Sequence, residues 1–176
     1  MRRYFALFSI VALCVAARAA TLQYLTLDQM TSAATAIVRG TVLGSHTAVR
    51  GPVIYTVYTM RVSERLKGRP ATTIDIAIPG GVADGVRQTF AGAPELATGG
   101  EYLIFAWRTQ SGLNVIIGLS QGLFSVDSAA AGSEVMQTST QERIVNSSGR
   151  DVAITPVHMA MAQMRAQIQR IAEVRQ

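Results

Sequence analysis

Residues 102–107 read Tyr102-Leu103-Ile104-Phe105-Ala106-Trp107, an unbroken apolar run. A run this short and continuous is typical of a strand covered on both faces, because only then are both sets of alternating side chains hidden from water. The run therefore predicts the central strand of a buried sheet.

Further strand patterns lie on both sides of this run. Residues 54–66 alternate between an apolar face, which includes Tyr58 and Met60, and a polar face. Gly40 interrupts a β-rich stretch, where it predicts a bulge or bend. Shorter strand patterns occupy residues 36–43, 74–78, 113–119 and 123–126. With no helix between successive strands, a doubly wound fold is disfavoured. The order predicts a mainly β domain, a small, partly open antiparallel barrel of the OB kind.

Helix signals flank the strands. Thr26 and Gln29 have the spacing of a capping box, which predicts a short N-terminal helix. Thr155 as N-cap and Pro156 in the first turn predict a long amphipathic helix over residues 156–175. Its apolar stripe predicts docking on the β core, although methionines also suit an adaptable partner surface. The stripe contains Val157, Met161, Met164, Ile168 and Ile171.

Between the last strand pattern and this helix, residues 127–152 are polar and rich in Ser, Thr, Gln and Gly. Such a composition predicts an excursion from the domain, with a weak hairpin over residues 135–145. The excursion and the helix complete a single predicted domain over residues 20–176.

Residues 1–19 have the form of a secretory signal peptide. Arg2 and Arg3 precede an apolar run over residues 5–17, and Ala17-Arg18-Ala19 supplies a small-x-small cleavage pattern. The run is too short to span a membrane. The sequence thus predicts a secreted or periplasmic protein without a membrane span after cleavage. The general secretory route is favoured, with the twin-arginine route as the alternative.

Cleavage changes the charge and cysteine content. It removes Cys14, which is the single cysteine, and three of the sixteen basic residues, so the net charge falls from +5 to +2. The remaining cations are scattered along the sequence and predict no basic patch of the kind that neutralises phosphates. Nucleic acid is therefore disfavoured as a partner.

Residues 79–100 form a long connection with six Gly and two Pro. Connections of this length inside a compact domain are uncommon and often functional. Its side chains with most to offer a ligand are Arg87, Phe90 and Glu95. The alternative is a structural crossover that covers one end of the barrel.

The segment Gly118-Leu119-Ser120-Gln121-Gly122 matches the G-x-S-x-G pattern of serine hydrolases, and Asp151 and His158 follow in triad order. A nucleophile elbow needs a strand, a sharp turn and then a helix. Here a strand pattern follows the serine, which favours a non-enzymatic protein over a hydrolase using Ser120.

Metal and cofactor signals are weak. His46 and His158 lie far apart in the sequence, the chain after residue 19 has no Cys, and the acidic residues lack the spacing of a calcium loop. Gly80-Gly81 lacks the glycine spacing of a phosphate-binding loop. We therefore predict no metal and no cofactor.

A first set of motifs lies in the strand regions: Ala34-x-Ala36-Ile37-Val38-x-Gly40-x-Val42, the stretch 55–62, Val62-x-x-x-Leu66-Lys67-Gly68 and Gly99-x-Glu101-Tyr102-Leu103-Ile104. In this order they resemble the netrin-like domain of tissue inhibitors of metalloproteinases. A second set comprises Pro79-Gly80-Gly81, Gly92-Ala93-Pro94 and Gly118-Leu119-x-Gln121-Gly122. With these, residues 24–127 are more closely similar to a group of uncharacterised secreted bacterial proteins.

The resemblance implies an OB-like barrel in an exported protein. The inhibitors act through an N-terminal Cys on the protease zinc, so their mechanism does not transfer to a chain without that Cys.

Together these features predict an exported, non-enzymatic binding domain for a protein or glycan, which uses the barrel face and the loop at 79–100. A serine hydrolase using Ser120 and a structural envelope component are the alternatives.

Overall fold

The computed structural model describes residues 21–69, 71–129, 132–138 and 143–173. The predicted signal peptide at 1–19 lies outside these residues. The described chain is mainly β, with a small helix near each end, and no described helix is long and apolar enough to cross a membrane. The elements are β1 Thr21–Gln23, α1 Leu27–Ala33, β2 Ala36–Arg50, β3 Val53–Lys67, β4 Thr73–Pro79, β5 Gly81–Ala83, β6 Val86–Gln88, β7 Glu101–Arg108, β8 Asn114–Ile116, β9 Leu123–Asp127, β10 Glu134–Gln137, β11 Arg143–Val145, β12 His158–Ala160 and α2 Met161–Glu173.

Eight strands form one antiparallel sheet in the order β12-β10-β9-β7-β2-β3-β4, and β8 pairs with β7 next to β9. Strand β7 lies at its centre. Leu103 and Phe105 face a core cluster under the two helices, and Ile104 and Ala106 face a second cluster on the other side. All four side chains are fully buried. The predicted strand with two covered faces is confirmed over residues 103–106, whereas Trp107 at its end is exposed.

The second cluster lies in the curl of β2, β3 and β4. The alternation predicted for residues 54–66 and 74–78 is confirmed, since Tyr58, Met60 and Ile76 point into this cluster. Strand β4 also approaches β8, where Asn114 Nδ2 donates to the Asp75 carbonyl at 3.0 Å. No ladder of hydrogen bonds joins these two strands, and the sheet is not closed.

Strands β2 and β3 form a long hairpin that turns at Gly51-Pro52. The pairing register shifts between Arg39 and Gly40, so the predicted irregularity at Gly40 is confirmed. A Cβ atom at Gly40 would lie 2.3 Å from the Arg61 carbonyl oxygen, which is backbone and cannot move aside. The close approach of β3 therefore requires glycine at this position.

Helix α1 begins as predicted. The Thr26 side chain accepts from the Gln29 N–H at 3.1 Å, and the Gln29 side chain accepts from the Thr26 N–H at 2.8 Å. At the other end, Lys67 Nζ donates to the Thr31 and Ser32 carbonyls. A cation at this end complements the partial negative charge of the helix C-terminus.

The predicted start of the C-terminal helix at Pro156, capped by Thr155, is wrong. Residues 158–160 form β12, and α2 begins at Met161. The extended backbone is held by Gln137, whose N–H donates to the Val157 carbonyl and whose side chain accepts from the Val157 N–H. The predicted docking is confirmed, because Met161, Met164 and Ile168 are buried in the first cluster. The predicted end at 175 lies outside the described residues.

The predicted hairpin over residues 135–145 is also wrong. Strand β10 lies between β9 and β12 in the main sheet, and β11 pairs in parallel with β1. Val135 is fully buried in the first cluster under the helices. Burial of this apolar side chain stabilises β10 as part of the sheet, although most of the surrounding stretch is polar.

Candidate binding groove

A groove of about 840 Å³ lies along β4 and reaches from the outer half of the β2–β3 hairpin to the turn before β8. Its floor belongs to the sheet face opposite the second cluster. His46, Val57 and Ala77 are paired neighbours across β2, β3 and β4, so their side chains share that face. The floor is therefore made largely of small and apolar side chains.

Three arginines line this groove, Arg50, Arg69 and Arg108. Arg50 and Arg108 are the last residues of β2 and β7, and Arg69 lies two residues beyond the end of β3. All three are exposed, and no described carboxylate lies within ion-pair distance of any of them. The groove, which we call the arginine groove, thus collects three unpaired positive charges.

One acidic side chain lines the arginine groove. Asp75 Oδ1 accepts from the Thr59 hydroxyl at 2.7 Å, which gives this carboxylate a neutral partner on its own sheet face. The sixteen residues of the lining include no Phe, Tyr or Trp. The groove therefore offers charge and forked N–H donors, and its one aromatic ring is the imidazole of His46.

Three arginines elsewhere in the described chain, Arg39, Arg143 and Arg165, have carboxylate partners. Arg165 bonds to both oxygens of Glu64, and Arg39 Nε lies 2.6 Å from Glu101 Oε1. The hydrogen bond from Arg165 lowers the pKa of Glu64, and the hydrogen bond from Arg39 lowers the pKa of Glu101 against the opposing effect of burial. Ser128 adds a hydrogen bond to Glu101. These arginines stabilise the sheet and α2, whereas those of the groove do not serve the fold in this way.

The predicted ligand residues of the loop do come together. Arg87, Phe90 and Glu95 line a hollow of about 140 Å³ between the loop and the ends of β3 and β4. Small-molecule sites usually enclose about 300–1,000 Å³. The hollow is therefore too small for most ligands as it stands.

The loop is fastened to the hairpin tip. Gln88 Oε1 accepts from the Ile54 N–H at 2.7 Å, and Gln88 Nε2 donates to the Pro52 carbonyl at 3.0 Å. Leu96 is buried in the second cluster. Strands β5 and β6 form a small hairpin within the loop. These contacts support a structural role for the loop.

The structure does not assemble a catalytic triad from Ser120, Asp151 and His158. Asp151 pairs with Arg143 at 2.6 Å, and His158 lies 2.8 Å from Glu134. Ser120 is buried, and its hydroxyl has no hydrogen-bond partner among the described residues. His158 lies in a strand rather than in the predicted first helical turn.

The G-x-S-x-G segment has a packing role. Gly118 and Leu119 both adopt positive φ, 61° and 63°, in the turn between β8 and β9. A Cβ atom at Gly122 would lie 3.0 Å from the carbonyl oxygens of Ile117 and Phe105. Glycine thus allows the turn to pack against β7, and the segment leads into a strand instead of a helix.

Sequence reasoning missed the arginine groove. It treated the cations as scattered because positions 50, 69 and 108 are far apart in the chain. A usable signal existed in the neighbouring turn residues, since Arg50 precedes Gly51-Pro52 and Arg69 follows Gly68. Their convergence depends on the register of β2, β3 and β4, which the sequence does not display.

No protein-family model, curated protein or solved structure matches this chain. Within residues 21–173, apart from the gaps given above, no three His, Cys, Asp or Glu side chains are placed to share a metal ion. The arginine groove is therefore the candidate functional site among the described residues.

Proposed function

We propose that this chain is a non-catalytic binding domain that holds an anionic ligand in the arginine groove. The observation that carries the proposal is the convergence of Arg50, Arg69 and Arg108 on one groove without a carboxylate partner. Guanidinium groups bind carboxylate, phosphate and sulfate through forked hydrogen bonds. An acidic protein and an acidic glycan both supply such groups.

Charge and shape act together in this proposal. Hydrogen bonds to charged groups contribute roughly 1.5–3 kcal/mol each, less where the pair stays in water. The small residues of the floor, Ala48 and Ala77, leave room for a ligand to lie close to the sheet. Binding should therefore be strongest at low ionic strength.

The same proposal treats the curled part of the sheet as an open OB-like barrel. Following the strands in the order β2-β3-β4 leads to the Asn114–Asp75 bond, then to β8, β7 and back to β2. OB barrels bind ligands over the faces of their second and third strands and the flanking loops. Here those elements are β3, β4 and the turns beside Arg50 and Arg108.

The proposal further places the domain outside the cytoplasm, secreted or periplasmic. The support is the charged start, apolar run and small-x-small pattern of residues 1–19.

The test is fluorescence anisotropy of labelled poly-L-glutamate with the full chain and with the triple variant Arg50→Gln, Arg69→Gln, Arg108→Gln. The matched control removes three exposed arginines from other surfaces, Arg87→Gln, Arg150→Gln and Arg170→Gln. Both variants lose the same net charge, so a nonspecific attraction would weaken equally in the two. We expect the groove variant to bind poly-L-glutamate at least about tenfold more weakly than wild type and the control variant to bind within about threefold of wild type. Equal weakening of the two variants would show nonspecific attraction and contradict the proposal.

A further inference from the structure

Half of strand β2 has a free edge. Strand β7 pairs with β2 only over residues 36–41, and Val42 is the last residue bonded on that side, to Gly99 and Gly100. Residues 44–50 pair with β3 alone. Most of them are exposed. On the side away from β3, no described strand pairs with these residues, although β5 packs against the hairpin.

The backbone groups on this edge alternate. Arg50 and Val53 close the two-residue turn and face each other, so the pairs that exchange hydrogen bonds continue at every second residue. Ser45, Thr47 and Val49 therefore direct their N–H and C=O groups away from β3. None of these groups has a hydrogen-bond partner among the described residues. Such an edge is a template for another strand.

The free edge adjoins the arginine groove. His46, Ala48 and Arg50 alternate with the edge residues and line the groove. A strand added along Ser45–Val49 would therefore place every second side chain on the groove face, beside Arg50. Acidic residues at alternate positions would meet positive charge there.

We infer that the anionic ligand is an extended acidic polypeptide segment that pairs with β2 at Ser45–Val49 and directs alternate carboxylates into the arginine groove. The inference rests on the proposed function and specifies its ligand. Strand addition supplies affinity through main-chain hydrogen bonds and selectivity through alternate side chains. The unpaired strand edge, beside a lining that has no Phe, Tyr or Trp for a sugar ring to stack on, favours this occupant over a glycan.

The test uses a fluorescein-labelled peptide of about ten residues in which Glu and Thr alternate. Two further peptides carry backbone N-methyl groups either on every Glu or on every Thr. In an extended strand, alternate N–H groups point to opposite sides. Pairing with β2 therefore predicts that one methylated peptide loses at least about tenfold in affinity while the other stays within about threefold.

The matched protein variants are Thr47→Pro and Thr47→Ala. Proline removes an outward N–H that β3 does not use, a substitution that edge strands tolerate. We expect Thr47→Pro to bind the unmodified peptide at least about tenfold more weakly and Thr47→Ala to bind within about twofold of wild type. If Thr47→Pro disturbs folding, the two methylated peptides decide the question on the wild-type chain.

The outcomes separate this inference from the proposed function. If the arginine triple variant loses binding while both methylated peptides bind alike, the anionic site stands and strand pairing is overturned. If neither the triple variant nor the methylated peptides lose binding, both proposals fail. Two further results would overturn the acidic peptide as occupant. One is a sulfated glycan that binds more tightly than the peptide and whose affinity Thr47→Pro does not change. The other is a dimer of this chain that Thr47→Pro converts to a monomer.

Discussion

Arg165 on α2 holds Glu64 on β3 in a two-bond ion pair, with Nε 2.6 Å from Oε1 and Nη2 2.9 Å from Oε2. The contact joins residues separated by 101 positions. It fastens the C-terminal helix to β3, in addition to the buried methionines beneath the helix.

The first prediction concerns acid stability. Because the hydrogen bond from Arg165 lowers the pKa of Glu64 below its ordinary 4.5, the folded state favours the charged carboxylate. Its stabilising contribution is present above that ordinary value and is lost as the pH falls through the lower, folded-state pKa. Glu101, held by Arg39, behaves in the same way.

Glu64→Gln should therefore lower the free energy of unfolding by about 1 kcal/mol at neutral pH, and the difference from wild type should shrink as the pH falls below the ordinary 4.5. Urea denaturation at neutral pH and along a series of acidic buffers measures this difference. Glu173→Gln, at an exposed position at the end of α2, is the control. A difference that stays constant across this range would contradict the assigned ion pair.

The second prediction concerns the attachment of β1. Gln121 is buried, and its side chain accepts from the Leu25 N–H at 2.9 Å and donates to the Gln23 carbonyl at 2.8 Å. Gln121→Ala leaves both groups without a partner, so we expect a loss of about 2–4 kcal/mol. Hydrogen exchange of the Leu25 amide should also be faster in Gln121→Ala than in wild type.

Gln163→Ala removes an exposed glutamine from α2 and should change the stability by less than about 0.5 kcal/mol. If Leu25 stays as protected in Gln121→Ala as in wild type, the side chain of Gln121 does not hold the N-terminal segment.

The local parts of the fold could be predicted, because their signals lie within a few residues. The run at 102–107 showed a doubly covered strand, and Thr26 with Gln29 showed a helix start. The helix start at Pro156 failed for a different reason. Residues 157–160 are extended because Gln137 and β10 bond to them, and that partner lies about twenty positions away.

The candidate site was harder to predict than the fold. Arg87, Phe90 and Glu95 are near one another in sequence and do share a hollow, yet that hollow is small. The arginine groove needs the pairing of β2, β3 and β4 and the approach of β8 to β4. A charge pattern read along the chain carries none of this information.

The third prediction concerns Ser120. Its buried hydroxyl lacks a partner, so Ser120→Ala should leave the stability unchanged or raise it by up to about 1 kcal/mol. Neither protein should react with a fluorophosphonate probe. Labelling of the wild type that Ser120→Ala abolishes would establish the hydrolase alternative.

The fourth prediction concerns the second glycine of the same segment. A Cβ atom at Gly122 meets backbone oxygens at 3.0 Å, so Gly122→Ala should cost about 1–3 kcal/mol. Gly44→Ala is the control, since a Cβ atom there meets nothing within 4 Å. Thermal unfolding of the two variants compares them, and equal melting temperatures would remove the packing explanation of the segment.

The fifth prediction concerns the loop at 79–100. Because Gln88 fastens it to the hairpin and its hollow is small, Arg87→Ala with Phe90→Ala should leave poly-L-glutamate binding within about threefold of wild type. Anisotropy titration of the double variant measures this. A loss as large as that of the arginine triple variant would move the site to the loop, as the sequence alone suggested.

The most direct measurement is an NMR titration of the ¹⁵N-labelled protein with poly-L-glutamate at low salt, which reports where the ligand lies. We expect the largest amide shift changes at groove residues such as Arg50, Val57 and Ala77. Shift changes concentrated at residues 87–95, or spread evenly over exposed basic residues, would contradict the arginine groove as the binding site.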